Sequence, residues 1–194
     1  MLNEKLQSLD VLVQRILPQV SPCPRTMVID ALQNLASDFC KQTGVWTAEL
    51  QEDVVAGDSR IIIASAPKTA VLAGLRKLYI GGSEQDKADF VISPRDIELK
   101  FTPQQNAVAV IDGTLRPKRD SDLLPESIIE EWGDILSYGA LAKLKSMSGA
   151  NIGWSDMNGA SMNIGLYNEG CGRARVRMLR NRLGGGSLSF TSGE

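Results

Sequence analysis

Between residues 57 and 113 the chain is interrupted by Gly57, Pro67, Gly81-Gly82, Pro94, Pro103 and Gly113. The segments between these breaks are too short for helices and rich in Val, Ile, Leu and Tyr. RIIIAS (60–65), TAVLAGLRKLYI (69–80), ADFVI (88–92), DIELKF (96–101) and AVAVIDGTLRP (107–117) read as strands. A turn signal about every ten residues points to one small antiparallel sheet of about five strands within a β region over 45–118. No βαβ alternation and no phosphate-binding glycine loop occurs, which argues against a nucleotide fold.

The flanks have helical periodicity instead. Leu6, Leu9, Val13 and Ile16 or Leu17 recur at three- and four-residue spacing and predict a helix over 3–17, ended by Pro18, Pro22 and Pro24. Pro24 opens a second helix over 24–43, with Val28, Leu32, Leu35 and Phe39 on one face and Gly44 as its stop. A third, over 125–147, begins PESIIEEW, where Glu126, Glu130 and Glu131 suit the positive end of the helix dipole and Lys143 and Lys145 suit the other. Ile128, Trp132, Ile135 and Leu136 form its buried face.

A fourth helix spans 156–182 with Ser155 as N-cap. Its apolar seam is Ala160, Ile164, Tyr167, Cys171, Ala174 and Met178. Gly159, Gly165, Gly170 and Gly172 lie inside it, and each costs about 1 kcal/mol against alanine. Such a helix must lean on tight packing, against residues 126–147 and against a neighbouring subunit. After Leu183, GGGSLSFTSGE has the composition of a flexible arm over 184–194. The expected architecture is α+β: a helical bundle of two N-terminal and two C-terminal helices, a central small antiparallel sheet, and a C-terminal arm. Residues 1–183 would form a single domain, because 194 residues with 43% hydrophobic content can bury one core.

Composition narrows the chemistry. With no histidine, Ser-His-Asp and Cys-His triads, histidine general bases and the usual zinc sites are excluded. Cys23, Cys40 and Cys171 are scattered and read as reduced, packed thiols. Asp120 and Asp122 could be imagined as a metal pair, but they read as a solvated turn before a helix. Gly170-Cys171-Gly172 superficially resembles a dinucleotide loop, yet no strand precedes it. The expectation is a non-enzyme with no catalytic residue, cofactor or metal. A net charge of −2 makes the whole chain neither a polyanion binder nor a disordered acidic tail. No apolar run approaches the ~20 residues of a membrane span, and residues 1–17 lack a signal-peptide core, so a cytosolic life is expected.

Two features suggest partners. Arg173, Arg175, Arg177, Arg180 and Arg182 crowd into ten residues, while the first 60 residues carry an acidic surplus. The run reads as a solvated helix face, as a contact for an acidic protein, or as a contact for DNA phosphates without base reading. In the arm, Leu188 and Phe190 alternate with polar residues, the pattern of a segment that docks as an added strand.

Four segments, in order, resemble the head-to-tail adaptor (connector, head-completion) proteins of tailed bacteriophages. They are DALQNLASDFCKQTGVW (30–46), LYIGG (78–82), LRPKRDSDLLPESIIEEWGDILSYGALAKLKSM (115–147) and GWSDMNGASMNIGLYNEGCGRARVRMLR (153–180). The chain departs from that pattern where Leu166-Tyr167 replaces the usual aromatic and glycines replace alanines. The resemblance implies a structural subunit of a ring, commonly a dodecamer, beneath the portal protein. Such a ring extends the DNA channel and offers a platform to the next tail or neck protein. Double-stranded DNA would pass through its lumen without sequence-specific binding and without any membrane. The place implied is the head–tail interface of the virion, assembled in the bacterial cytoplasm. The alternatives are a neck or tail-completion protein one layer lower, a non-viral helical binding module, and carboxylate-based hydrolysis.

Overall fold

A computed structural model describes residues 5–149 and 152–182. Among these residues the fold is α+β, with four α-helices and several antiparallel sheets. The expected arm over 184–194, with Leu188 and Phe190, lies outside the described residues.

The first expected helix, over 3–17, is replaced by a strand and a shorter helix. Strand β1 (Leu6–Ser8) precedes helix α1 (Asp10–Ile16), and a single 3-10 turn over Leu17–Val20 follows. The cause is a distant partner. Strand β9 (Leu123–Pro125) pairs antiparallel with β1. The Leu9 amide donates to the Asp122 carbonyl at 2.8 Å, and the Glu126 amide donates to the Lys5 carbonyl at 2.8 Å. Backbone groups engaged across the molecule cannot also close a local helical turn. Ser8 completes the junction: its hydroxyl reaches the Asp122 carboxylate at 3.0 Å and accepts from the Asp10 amide at 3.2 Å.

The other helices fall close to their expected limits. Helix α2 (Arg25–Thr43) follows Pro24 and stops at Gly44, whose φ of 66° is left-handed and whose amide donates to the Cys40 carbonyl. Helix α3 is Glu126–Lys145 and helix α4 is Met157–Arg182. The cap of α4 is Asp156, not Ser155. The Asp156 carboxylate accepts from the Gly159 amide at 2.9 Å and from Lys145 Nζ at 3.1 Å, while the Asp156 amide donates to the Lys145 carbonyl. One residue thereby caps α4 and fastens it to the end of α3.

The strands form two main sheets instead of one. Strands β2 (Thr47–Val54), β4 (Ala70–Ile80), β5 (Ser83–Glu84) and β8 (Ala107–Pro117) run in the order β2-β8-β4-β5. Strands β3 (Arg60–Ile62), β6 (Phe90–Ile92) and β7 (Asp96–Leu99) form a separate sheet, β3-β7-β6. Strand β2 is absent from the expected list because its inward face reads Leu50, Glu52, Val54, an alternation broken by a charge. The Glu52 carboxylate is nonetheless satisfied: one oxygen accepts from the Ala64 amide (2.8 Å), the Ser65 amide (2.8 Å) and the Ser65 hydroxyl (2.7 Å). Ala64 and Ser65, expected as strand, instead wrap around this carboxylate, while the Ile63 amide donates to the Arg95 carbonyl at 2.9 Å.

Helix α3 is the most buried of the four and contacts α1, α2 and α4. Between α2, α3 and α4, Phe39 meets Trp132 and Tyr167 with tilted rings, centroids 6.0 and 6.4 Å apart. Helix α2 also packs on β8, where Arg116 donates to the Ser37 hydroxyl at 3.0 Å. One apolar core therefore runs from the helices into the sheets.

Candidate partner-binding face

Helices α3 and α4 lie antiparallel, and glycines set how closely they approach. A Cβ at Gly139 would stand 2.4 Å from Leu35 and 2.8 Å from Tyr167, and one at Gly170 would stand 2.5 Å from Ile135. A Cβ at Gly165 or Gly172 would meet nothing within 4 Å. Gly139 and Gly170 thus permit the close approach expected between α4 and residues 126–147, whereas Gly165 and Gly172 face outward.

The inward seam also differs from the expected one by a position. Ile164 is 43% exposed, and Asn163 is buried in its place, donating to the Gly159 carbonyl at 2.7 Å. Ala160, Tyr167, Cys171 and Ala174 are buried as expected. The opposite face exposes Met162, Val176 and Leu179, an apolar set that a reading of the inward seam alone passes over.

The arginines do not share one face. At 100° per residue, Arg175 lies on one flank of α4, while Arg173, Arg177 and Arg180 lie on the other. Arg173 pairs with Glu169 one turn back at 3.4 Å, both exposed. Arg175 donates to the carbonyl and the side-chain oxygen of Gln42, at 3.2 and 3.1 Å, and so satisfies an otherwise open carbonyl at the end of α2. Arg177 pairs with Glu131 of α3. Arg180 has no hydrogen bond or ion pair among the described residues. The Arg182 side chain lies outside them. Two members of the run, Arg175 and Arg177, therefore hold α4 to its own chain, and Arg180 is the most available to a partner.

Two open clefts mark the surface of the described residues. One of about 210 Å³ lies beside the Arg177–Glu131 pair, lined also by Thr47, Ser127, Trp132 and Asn181. Another of about 430 Å³ crosses the larger sheet at Gly74, Arg76, Lys77, Lys87, Asp112 and Thr114, and Arg76 there faces Asp112 at 3.5 Å. Neither brings two acids together. Asp122 is occupied by Ser8, and Asp120 sits in the turn before β9. Among the described residues, no group of three or more Cys, Asp or Glu converges as a metal site. Burial pushes the thiols of Cys23 and Cys171 upward and that of Cys40 to about 12, so all three stay protonated at neutral pH. Gly170-Cys171-Gly172 lies within a helix, with Gly170 against Ile135. No helix among the described residues is long and apolar enough to cross a membrane. Compared with models of known protein families and with curated proteins, the chain matches none.

Proposed function

We propose that this protein is a structural head-to-tail adaptor subunit of a tailed bacteriophage. Copies would form a ring beneath the portal, extend the DNA channel and give the next tail or neck protein a docking platform. The observation that supports this reading most is where the resembling segments fall. Residues 30–46, 115–147 and 153–180, far apart in sequence, supply α2, α3 and α4, which pack on one another around Phe39, Trp132 and Tyr167. The LYIGG segment ends β4, whose turn uses Gly81 and Gly82 at positive φ. In this reading the helices form the bundle that builds the ring body, and the sheets stand to one side. Arg180 and the arm residues Leu188 and Phe190 would reach the portal. The exposed apolar side chains Val55, Phe101 and Val108 suit a contact with a further layer.

The test is an image of purified particles of the phage that encodes this chain, with the neck layers traced and searched for it. A ring directly under the portal is expected. A layer one step lower would favour the neck-protein alternative, and a particle lacking the chain would overturn the virion assignment.

A further inference from the structure

We infer that two copies of this chain pair antiparallel through the outer face of α4. This inference is independent of the phage reading, since it concerns only how the chain meets itself.

The outer face carries a second seam, opposite the buried one: Met162, Gly165, Glu169, Gly172, Val176 and Leu179, stepping by 3, 4, 3, 4 and 3. That is the spacing of a helix that meets another helix along its length. Met162 is 66% exposed, Val176 47% and Leu179 53%. The intervening glycines serve no packing in their own chain, since an added Cβ at either meets nothing within 4 Å. On a solvated helix face glycine is the poorest choice after proline. What glycine permits is a close approach by another helix, near the lower end of the usual interaxial range of about 8–10 Å.

The seam reads as its own complement when reversed. Centred between Gly170 and Cys171, an antiparallel alignment sets Met162 against Leu179 of the second copy. It sets Gly165 against that copy's Val176, and Glu169 against that copy's Gly172. Val176 and Glu169 each meet a glycine gap, the condition for interdigitation, while Met162 and Leu179 pack on each other at either end of the seam. A parallel alignment would instead stack glycine on glycine and Glu169 on Glu169. Charge agrees with size. Arg173, 3.4 Å from Glu169 in its own chain, would in the antiparallel pair also lie beside Glu169 of the second copy, and the contact repeats about the two-fold axis. A face that supplies both halves of its own fit in size and charge selects a second copy as occupant. One helix face buries far less than the roughly 1,600 Å² of a standard interface, so the pair is weak, with a dissociation constant on the order of 10–100 µM.

Sedimentation equilibrium of the full 194-residue chain, from low micromolar to high micromolar concentration, tests this. A monomer–dimer equilibrium is expected. Gly165→Leu should weaken the dimer about tenfold, by filling the gap that receives Val176, while the melting temperature stays equal or rises. Orientation is read separately, by mixing Met162→Cys and Leu179→Cys chains under mild oxidation; a mixed disulfide between positions 162 and 179 is expected. A monomer at every concentration, an assembly that Gly165→Leu leaves unchanged, a head-to-tail polymer in place of a dimer, or homodisulfides alone would each overturn the inference.

Discussion

Gly170, turned inward, and Gly165, turned outward, allow the packing of α4 to be weighed within a single element. Gly165→Ala and Gly170→Ala make the same chemical change in the same helix, so intrinsic propensity favours each by about 1 kcal/mol. At position 165 nothing opposes the gain, because the new methyl meets no atom within 4 Å. At position 170 it lands 2.5, 2.6 and 2.7 Å from three carbons of Ile135, a side chain 5% exposed in the α3 face. Turning one bond of Ile135 cannot clear all three contacts, so the helices must part slightly or Ile135 must leave its rotamer. Overpacking of this kind costs about 1–3 kcal/mol. The net effect runs from nothing to about 2 kcal/mol of destabilisation for Gly170→Ala, against about 1 kcal/mol of stabilisation for Gly165→Ala. For a chain of this size the difference between the variants corresponds to roughly 2–12 °C in melting temperature. Thermal melts followed by circular dichroism, at a concentration low enough to keep the chain monomeric, would measure it. Equal upward shifts for both variants would refute the close approach of α3 and α4 at Gly170.

Three further outcomes are expected. Glu52→Ala leaves the Ala64 and Ser65 amides without their acceptor and should lower unfolding stability by about 2–4 kcal/mol, with Glu52→Gln intermediate, by urea titration. The Gly159 amide, then Lys145, hold the Asp156 carboxyl below its ordinary value of 3.8. Its contribution is therefore fully present above that value and is lost as pH falls through the lower folded value, so Asp156→Asn should flatten part of the acid limb of a melting-temperature profile. Deleting residues 184–194 should leave the melting temperature unchanged and abolish attachment to portal-bearing heads in a binding assay; attachment at normal affinity would remove the docking role proposed for Leu188 and Phe190.

What could be read from the sequence was local. Helices α2, α3 and α4 fall within two residues of their expected limits because caps, prolines and apolar spacing act over a few residues, as Gly44 does at the end of α2. The strand at Leu6–Ser8 was hidden because its partner, Leu123–Pro125, lies more than a hundred residues away and overrides a good helical spacing. Strand β2 was hidden by Glu52, whose burial depends on amides that only the fold brings near. The slip from Ile164 to Asn163 reflects drift between a 3.5-residue seam and a 3.6-residue helix. The arginine run was visible as charge, but its division was not. Arg177 finds Glu131 and Arg175 finds Gln42 only once α4 lies antiparallel to α3 and crosses the end of α2.

The sheet region also leaves and rejoins the helices at nearly one point. Thr47 at the start of β2 is in register with Thr114 near the end of β8, and the Leu115 amide donates to the Trp46 carbonyl at 2.7 Å. The intervening stretch is thus an excursion whose ends are already clamped together beside α2. Closing a loop becomes only slowly harder as it lengthens, by about 0.6 kcal/mol per doubling. The turns and outer strands far from that clamp can therefore be shortened or extended at little entropic cost, provided the strand residues that share the helices' core, such as Leu72 and Ile111, are kept.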